Sequence, residues 1–150
     1  MIESLREQLA AVGAAAFTAR DHRPGLVRHI VLFRYRQEVT EAQKAEVLRR
    51  FLALADSRRA DGERYITSVE AGGQGSGEGA GGGYEHGVVV TFASEGDRNH
   101  YVGAPVVEDP AYCDAEHAAF KEFVGPLLHP DGGALVFDVV GHGAGPSAPR

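Results

Sequence analysis

The chain has 150 residues, 43% of them hydrophobic and 24% charged, which is room for one core of an ordinary globular kind and excludes a multi-domain, fibrous or disordered protein. Fifteen Lys and Arg against 21 Asp and Glu leave a net charge of −6, which argues against nucleic acid or an anionic membrane as partner. The lone cysteine, Cys113, excludes an intramolecular disulfide, the opening MIESLREQLAAVGAAAF lacks the basic start of a secretory leader, and no apolar run reaches membrane-spanning length, so a cytoplasmic setting is expected.

Residues 1–26 read as an N-terminal extension, in which Ile2, Leu5, Leu9 and Val12 are spaced for a helix over residues 2–16 that packs on the folded domain or on a partner subunit. His29 to Tyr35 predicts the first strand, its alternation sending His29, Val31, Phe33 and Tyr35 to one face. Thr40-Glu-Ala-Gln43 matches a capping box, and the helix after it places Ala42, Ala45, Leu48, Leu52 and Ala55 near one face and ends near Asp61-Gly62. Arg49-Arg50 and Arg58-Arg59 fit a solvated helix face and its terminus. Tyr65 to Glu70 predicts a second strand, running into a segment, Gly72 to Gly83, that holds eight of the 20 glycines and reads as a flexible loop. Its Gly77-x-Gly79-x-x-Gly82 precedes a strand rather than a helix, so it lacks the dipole that would hold a pyrophosphate. His86 to Phe92 is the third strand. A short helix from Ser94 carries Tyr101 and is stopped by Pro105. Asp114 then caps a longer helix with His117, Phe120, Val124 and Leu127 on one stripe. Ala134 to Val140 is the last strand, and residues 141–150 are expected to be a flexible tail.

The order β-α-β-β-α-β is that of an α+β, ferredoxin-like split βαβ fold, with a four-stranded antiparallel sheet and both helices on one face. Apolar residues on both faces of the strands, Ile30 and Leu32 as well as Val31 and Phe33, call for a cover on the second face, and a second copy of the chain is the simplest one. A homodimer is therefore expected. The seven histidines include no pair at helical ligand spacing and no zinc-type Cys partner, so no metal site is expected unless scattered strands assemble one. Cys113 and His117 are four apart, within reach of a thiolate and imidazole pair, but a lone cysteine beside a cap is more often a small half-buried residue. His29 and His86 begin two strands and are expected near one rim of the sheet, either against a ligand or as structural strand-end residues.

Four blocks, Arg28-His-Ile-Val-Leu-Phe-Arg-Tyr35, Glu38-Val-Thr-Glu-Ala-Gln-Lys44, Gly83-Tyr-Glu-His-Gly-Val-Val-Val-Thr-Phe92 and Val136-Phe-Asp138, resemble the stress-responsive A/B-barrel (Dabb) family over residues 27–140. The resemblance implies a dimeric α+β barrel. Through the polyketide-cyclising plant members of that family, it also implies closure of a linear poly-β-carbonyl substrate by intramolecular aldol condensation, with a tyrosine on the short helix and a histidine in a His-Pro-x-His stretch. The tyrosine falls on Tyr101. The histidine falls on Val107 if the stretch is read without a gap, and on His117 if residues 106–114 hold an insertion. With His117 as general base and Tyr101 as hydrogen-bond donor to the developing enolate, the pair suits that chemistry. His29, Phe33, Tyr35, His86, Val90, Phe92, Phe120 and Phe123 are then expected to line the site for a small apolar or aromatic ligand, with no cofactor. Two other readings stand beside it: a non-catalytic stress-responsive barrel that binds a hydrophobic ligand, and a haem- or oxygen-handling monooxygenase of the same barrel superfamily with a histidine as axial ligand.

Overall fold

The computed structural model describes residues 1–141, so that most of the expected tail, residues 142–150, lies outside the described residues. Four strands, β1 (Pro24–Phe33), β2 (Ile66–Gly73), β3 (His86–Ser94) and β4 (Ala134–Val140), form one antiparallel sheet in the order β2-β3-β1-β4. The helices are α1 (Ile2–Val12), α2 (Ala14–Phe17), α3 (Glu41–Ala53), α4 (Glu95–Val102) and α5 (Ala115–Val124). This is the ferredoxin-like arrangement expected from the order of elements.

Local chemistry sets the helix starts. The Thr40 hydroxyl accepts from the Gln43 N–H at 3.2 Å while the Gln43 side chain accepts from the Thr40 N–H at 2.8 Å, closing the capping box of α3. Ser94 Oγ accepts from the Asp97 N–H at 3.0 Å at the head of α4, and Asp114 accepts from the N–H groups of Glu116 and His117 at the head of α5. Two expectations for α3 are corrected. It ends at Ala53, continuing as one tight turn to Asp56, and residues 58–64 form a turn closed by a bridge between Arg58 and Arg64 instead of more helix. Its buried side is Val47, Phe51 and Leu54, while Leu52 is exposed, because the bulky side chains fill the space over the sheet that an alanine-lined face would leave empty. Two strands are longer than predicted: β1 starts at Pro24 rather than His29, and β2 runs on to Gly73 into the glycine segment.

On the helix side of the sheet, Val27, His29, Val31 and Phe33 of β1 and Val88, Val90 and Phe92 of β3 are buried. Phe33, Phe51 and Phe120 meet there edge to face or tilted, with centroids 5.2–6.3 Å apart. Register sets Asp138 of β4 directly opposite His29 of β1, on that same side. The other face presents Leu26, Leu135, Phe137 and Val139 to solvent, Phe137 at 64% exposure. The N-terminal extension is anchored through α2: Phe17 is fully buried, its carbonyl accepts from Asn99 Nδ2 at 2.9 Å, and Arg20 pairs with Asp61 at 2.6 Å. Helix α1 itself has no buried residue.

Candidate functional site

Between the helix side of the sheet and helices α4 and α5 lies a cavity of about 450 Å³. Its walls are largely apolar, including Val31, Phe33, Phe51, Phe120, Val124, Leu128 and Val136, and three residues with ionisable side chains reach it: His29, His117 and Lys121. Such a space with a few convergent polar groups is the usual form of a small-molecule site.

His29 stands on the central strand, and its Nδ1 lies 2.6 Å from Asp138 Oδ1. The other carboxylate oxygen, Oδ2, accepts from the Arg98 guanidinium at 2.9 Å. Burial alone would raise Asp138, but its hydrogen bonds and charge interactions with His29 and Arg98 outweigh that and hold it below the usual carboxylate range. A carboxylate only accepts, so Nδ1 of His29 carries a proton, and in the neutral imidazole the lone pair is on Nε2. This is the orientation that a carboxylate imposes on a catalytic imidazole.

His117, in the first turn of α5, is arranged by a different partner. Its Nδ1 donates to the backbone carbonyl of Tyr101 at 2.6 Å, again leaving Nε2 unprotonated, and its ring stacks on that of Tyr101 with centroids 3.8 Å apart. Burial pushes this imidazole down to about 4, the Tyr101 carbonyl opposing the effect only in part. His117 is therefore neutral at pH 7. Lys121, one turn further along α5, donates from Nζ to the carbonyls of Val102 at 3.0 Å and Ala104 at 3.4 Å.

Of the expected site residues, the cavity collects His29, Phe33, His117 and Phe120. Tyr101 is adjacent but hidden: it is 1% exposed, packed between His117 and Phe92, and its phenol is buried without a partner, so it does not present a donor to the cavity. Burial, and the nearby Asp114 carboxylate, raise that phenol well above the ordinary tyrosine value. Val90 and Phe92 belong to the core beneath, and Phe123 lies under the Arg50 guanidinium at 3.9 Å. Tyr35 donates to or accepts from His86 Nδ1 at 2.8 Å, away from the cavity. The shared rim for His29 and His86 does not form. Strands β1 and β3 are antiparallel, so His86 pairs with Phe33 while His29 pairs with Val90, four residues along.

Val107 is buried and does not line the cavity, which is reached from this part of the chain by Ala104, Pro105 and His117. The Cys113 and His117 pair is not made either, since the Cys113 thiol donates to the carbonyls of Val107 and Asp109 at 3.1 and 3.2 Å and burial raises its pKa. Among the described residues no group of three His, Cys, Asp or Glu is placed to hold a metal ion. Sequence reasoning missed Asp138, Arg98 and Lys121 as parts of the site. Asp138 had a signal, being the one charged residue in the otherwise apolar Ala134-Leu-Val-Phe-Asp-Val-Val140. Lys121 had one in its spacing of four from His117.

Residues 27–140 match the Stress responsive A/B Barrel Domain, Dabb. The chain belongs to the Dabb family. No curated protein matches the sequence. Solved structures with the Dabb chain's fold include a dimeric ferredoxin-like protein of unknown function from Jannaschia sp. CCS1, at 19% identity and TM-score 0.57, covering 77% of this chain and 99% of that one. A protein of Arabidopsis thaliana matches at 21% identity and TM-score 0.58, covering 79% and 98%. A hydroxynitrile lyase from Passiflora edulis matches at 22% identity and TM-score 0.55, covering 82% and 99%. At these identities the likeness speaks for the fold. No helix among the described residues is long and apolar enough to cross a membrane.

Proposed function

We propose that this Dabb protein is a small-molecule enzyme that closes a poly-β-carbonyl substrate by acid and base chemistry in the cavity between the sheet and helices α4 and α5. The observation that carries the reading is the His29 imidazole, backed at 2.6 Å by the Asp138 carboxylate and opening on an apolar cavity shared with His117. A carbon flanked by two carbonyls holds an acidic proton. His29 Nε2 takes that proton, and the imidazolium so formed is stabilised by Asp138. The enolate then attacks a second carbonyl of the same molecule, and the proton returns from His29 to the new alkoxide oxygen.

His117, the base expected from the family resemblance, takes a different part in this scheme. Held near 4, it is a weak base, but its Nε2 accepts a hydrogen bond from an enol hydroxyl and so orients the substrate. Tyr101 positions His117 through its carbonyl and ring rather than donating from its phenol. A neighbouring fold that is a hydroxynitrile lyase agrees with a lyase reading without naming a substrate for this chain. In solution we place two copies sheet to sheet. The exposed Leu26, Leu135, Phe137 and Val139 call for such a cover, and several neighbours of this fold are described as dimeric.

The test is turnover of a panel of linear poly-β-ketones by the wild type and by Asp138→Asn. The amide donates to Nδ1 where the carboxylate accepted, which puts the proton on Nε2 and removes the base, so kcat is expected to fall at least about 100-fold. Thermal melting checks that the variant is folded, since Arg98 loses one of its two charge partners and keeps Glu95. Undiminished turnover in a folded Asp138→Asn protein would sink the assignment. Binding without turnover in the wild type would favour a ligand-binding barrel, the reading that the buried Tyr101 phenol supports.

A further inference from the structure

The cavity has a sign. Among the described residues, and apart from the two imidazoles, its one ionisable lining residue is Lys121 and no carboxylate lines it, in a chain whose net charge is −6. The Lys121 ammonium is held at the mouth by two of its three protons, donated to the carbonyls of Val102 and Ala104, and both of those residues are themselves cavity lining. The third proton has no partner among the described residues and is available to a ligand. Lys121 follows His117 by four positions, so the two side chains lie on one face of α5, separated by about one helical turn of ~5.4 Å. The lining also includes three aromatic rings, Phe33, Phe51 and Phe120.

We propose that the cavity selects an amphipathic carboxylic acid, its carboxylate on the Lys121 ammonium and its apolar body against Phe33, Phe51 and Phe120. This rests on the reading of the cavity as a small-molecule site and narrows that reading from any apolar ligand to an acid. A charge-assisted hydrogen bond at the rim of an apolar wall gives the carboxylate an advantage that a neutral group of equal size lacks.

The probes are 4-phenylbutyrate and 4-phenylbutan-1-ol, matched in body and different in head, titrated calorimetrically into the full chain at pH 7. The acid is expected to bind about ten-fold more tightly than the alcohol. Lys121→Met is expected to bring the acid to or below the alcohol while leaving the alcohol unchanged, and Lys121→Arg to keep the preference, with thermal melting showing both variants folded. Equal binding of the two probes by the wild type, or an acid preference that survives Lys121→Met, overturns the proposal and leaves the catalytic reading standing. Failure of the wild type to bind either probe overturns the proposal together with the small-molecule reading beneath it.

Discussion

Acid should weaken this protein through His117, and by an amount the structure sets. In the unfolded chain this imidazole returns to its ordinary value of 6.5, whereas burial against Tyr101 holds it at about 4 when folded. Above 6.5 neither state is protonated and His117 contributes no pH dependence. As the pH falls below 6.5 the unfolded state takes the proton first, so stability drops, and the loss levels off only below about 4. At roughly 1.4 kcal/mol per pH unit the full loss is about 3.5 kcal/mol, of which about 2.5 kcal/mol is reached by pH ~4.5. The assay is urea unfolding at pH 7 and pH ~4.5, at one protein concentration, for the wild type and for His117→Phe, which keeps a ring on Tyr101 but has nothing to protonate. His86 and His100 are also held down by burial and fall in the same direction, but they are present in both proteins and cancel in the comparison. The wild type is expected to lose about 2.5 kcal/mol more than the variant between the two pH values. A difference under about 1 kcal/mol, or a His117 resonance that titrates near the ordinary histidine value, would refute the argument from burial.

Two further perturbations test other parts of the molecule. A Cβ on Gly96 would stand 1.7 Å from the Ala19 carbonyl oxygen, a backbone atom, so Gly96→Ala is expected to lift the N-terminal extension off α4 at a cost of about 3 kcal/mol or more. Thermal melting and the rate of tryptic cleavage at Arg20 report it, and wild-type behaviour in both would show that the extension is not docked as described. On the outer sheet face, Phe137→Glu removes an exposed ring from each of two copies and adds a charge to each. The expected cost is about 2–4 kcal/mol, or roughly 100-fold in the dimer Kd, read by light scattering across a dilution series. An unchanged Kd would move the interface elsewhere.

The order of elements was legible because each carries its own local signal: alternation in His29 to Phe33 and His86 to Phe92, a capping box at Thr40, and an N-cap at Asp114. His117 and Phe120 were legible as inward-facing for the same reason, since the helical stripe needs only neighbours a few residues away. The partner of His29 was not. Asp138 is 109 residues distant in the chain, and only the pairing of β1 with β4 brings the two together. The surroundings of Tyr101 were hidden for a related reason. Residue type made it a donor, but what decides its role is that the ring of His117 lies flat over it, a fact of packing between α4 and α5. The buried stripe of α3 went by spacing to Ala42, Ala45, Leu48, Leu52 and Ala55, of which Leu48 packs against the core, when volume gave its centre to Val47 and Phe51.

The opposition of His29 and Asp138 across two strands carries an evolutionary consequence. Side chains alternate along a strand, so a one-residue insertion or deletion between Leu128, which is bridged to Tyr35 next to the end of β1, and the start of β4 would set Phe137 or Val139 opposite His29 and turn the carboxylate to the outer face. The walls of the cavity tolerate gradual exchange of one apolar side chain for another, and ligand preference is free to drift that way. The length of the short connection before β4 is not: there, descendants of this chain either keep its count or lose the charge behind the imidazole in a single step.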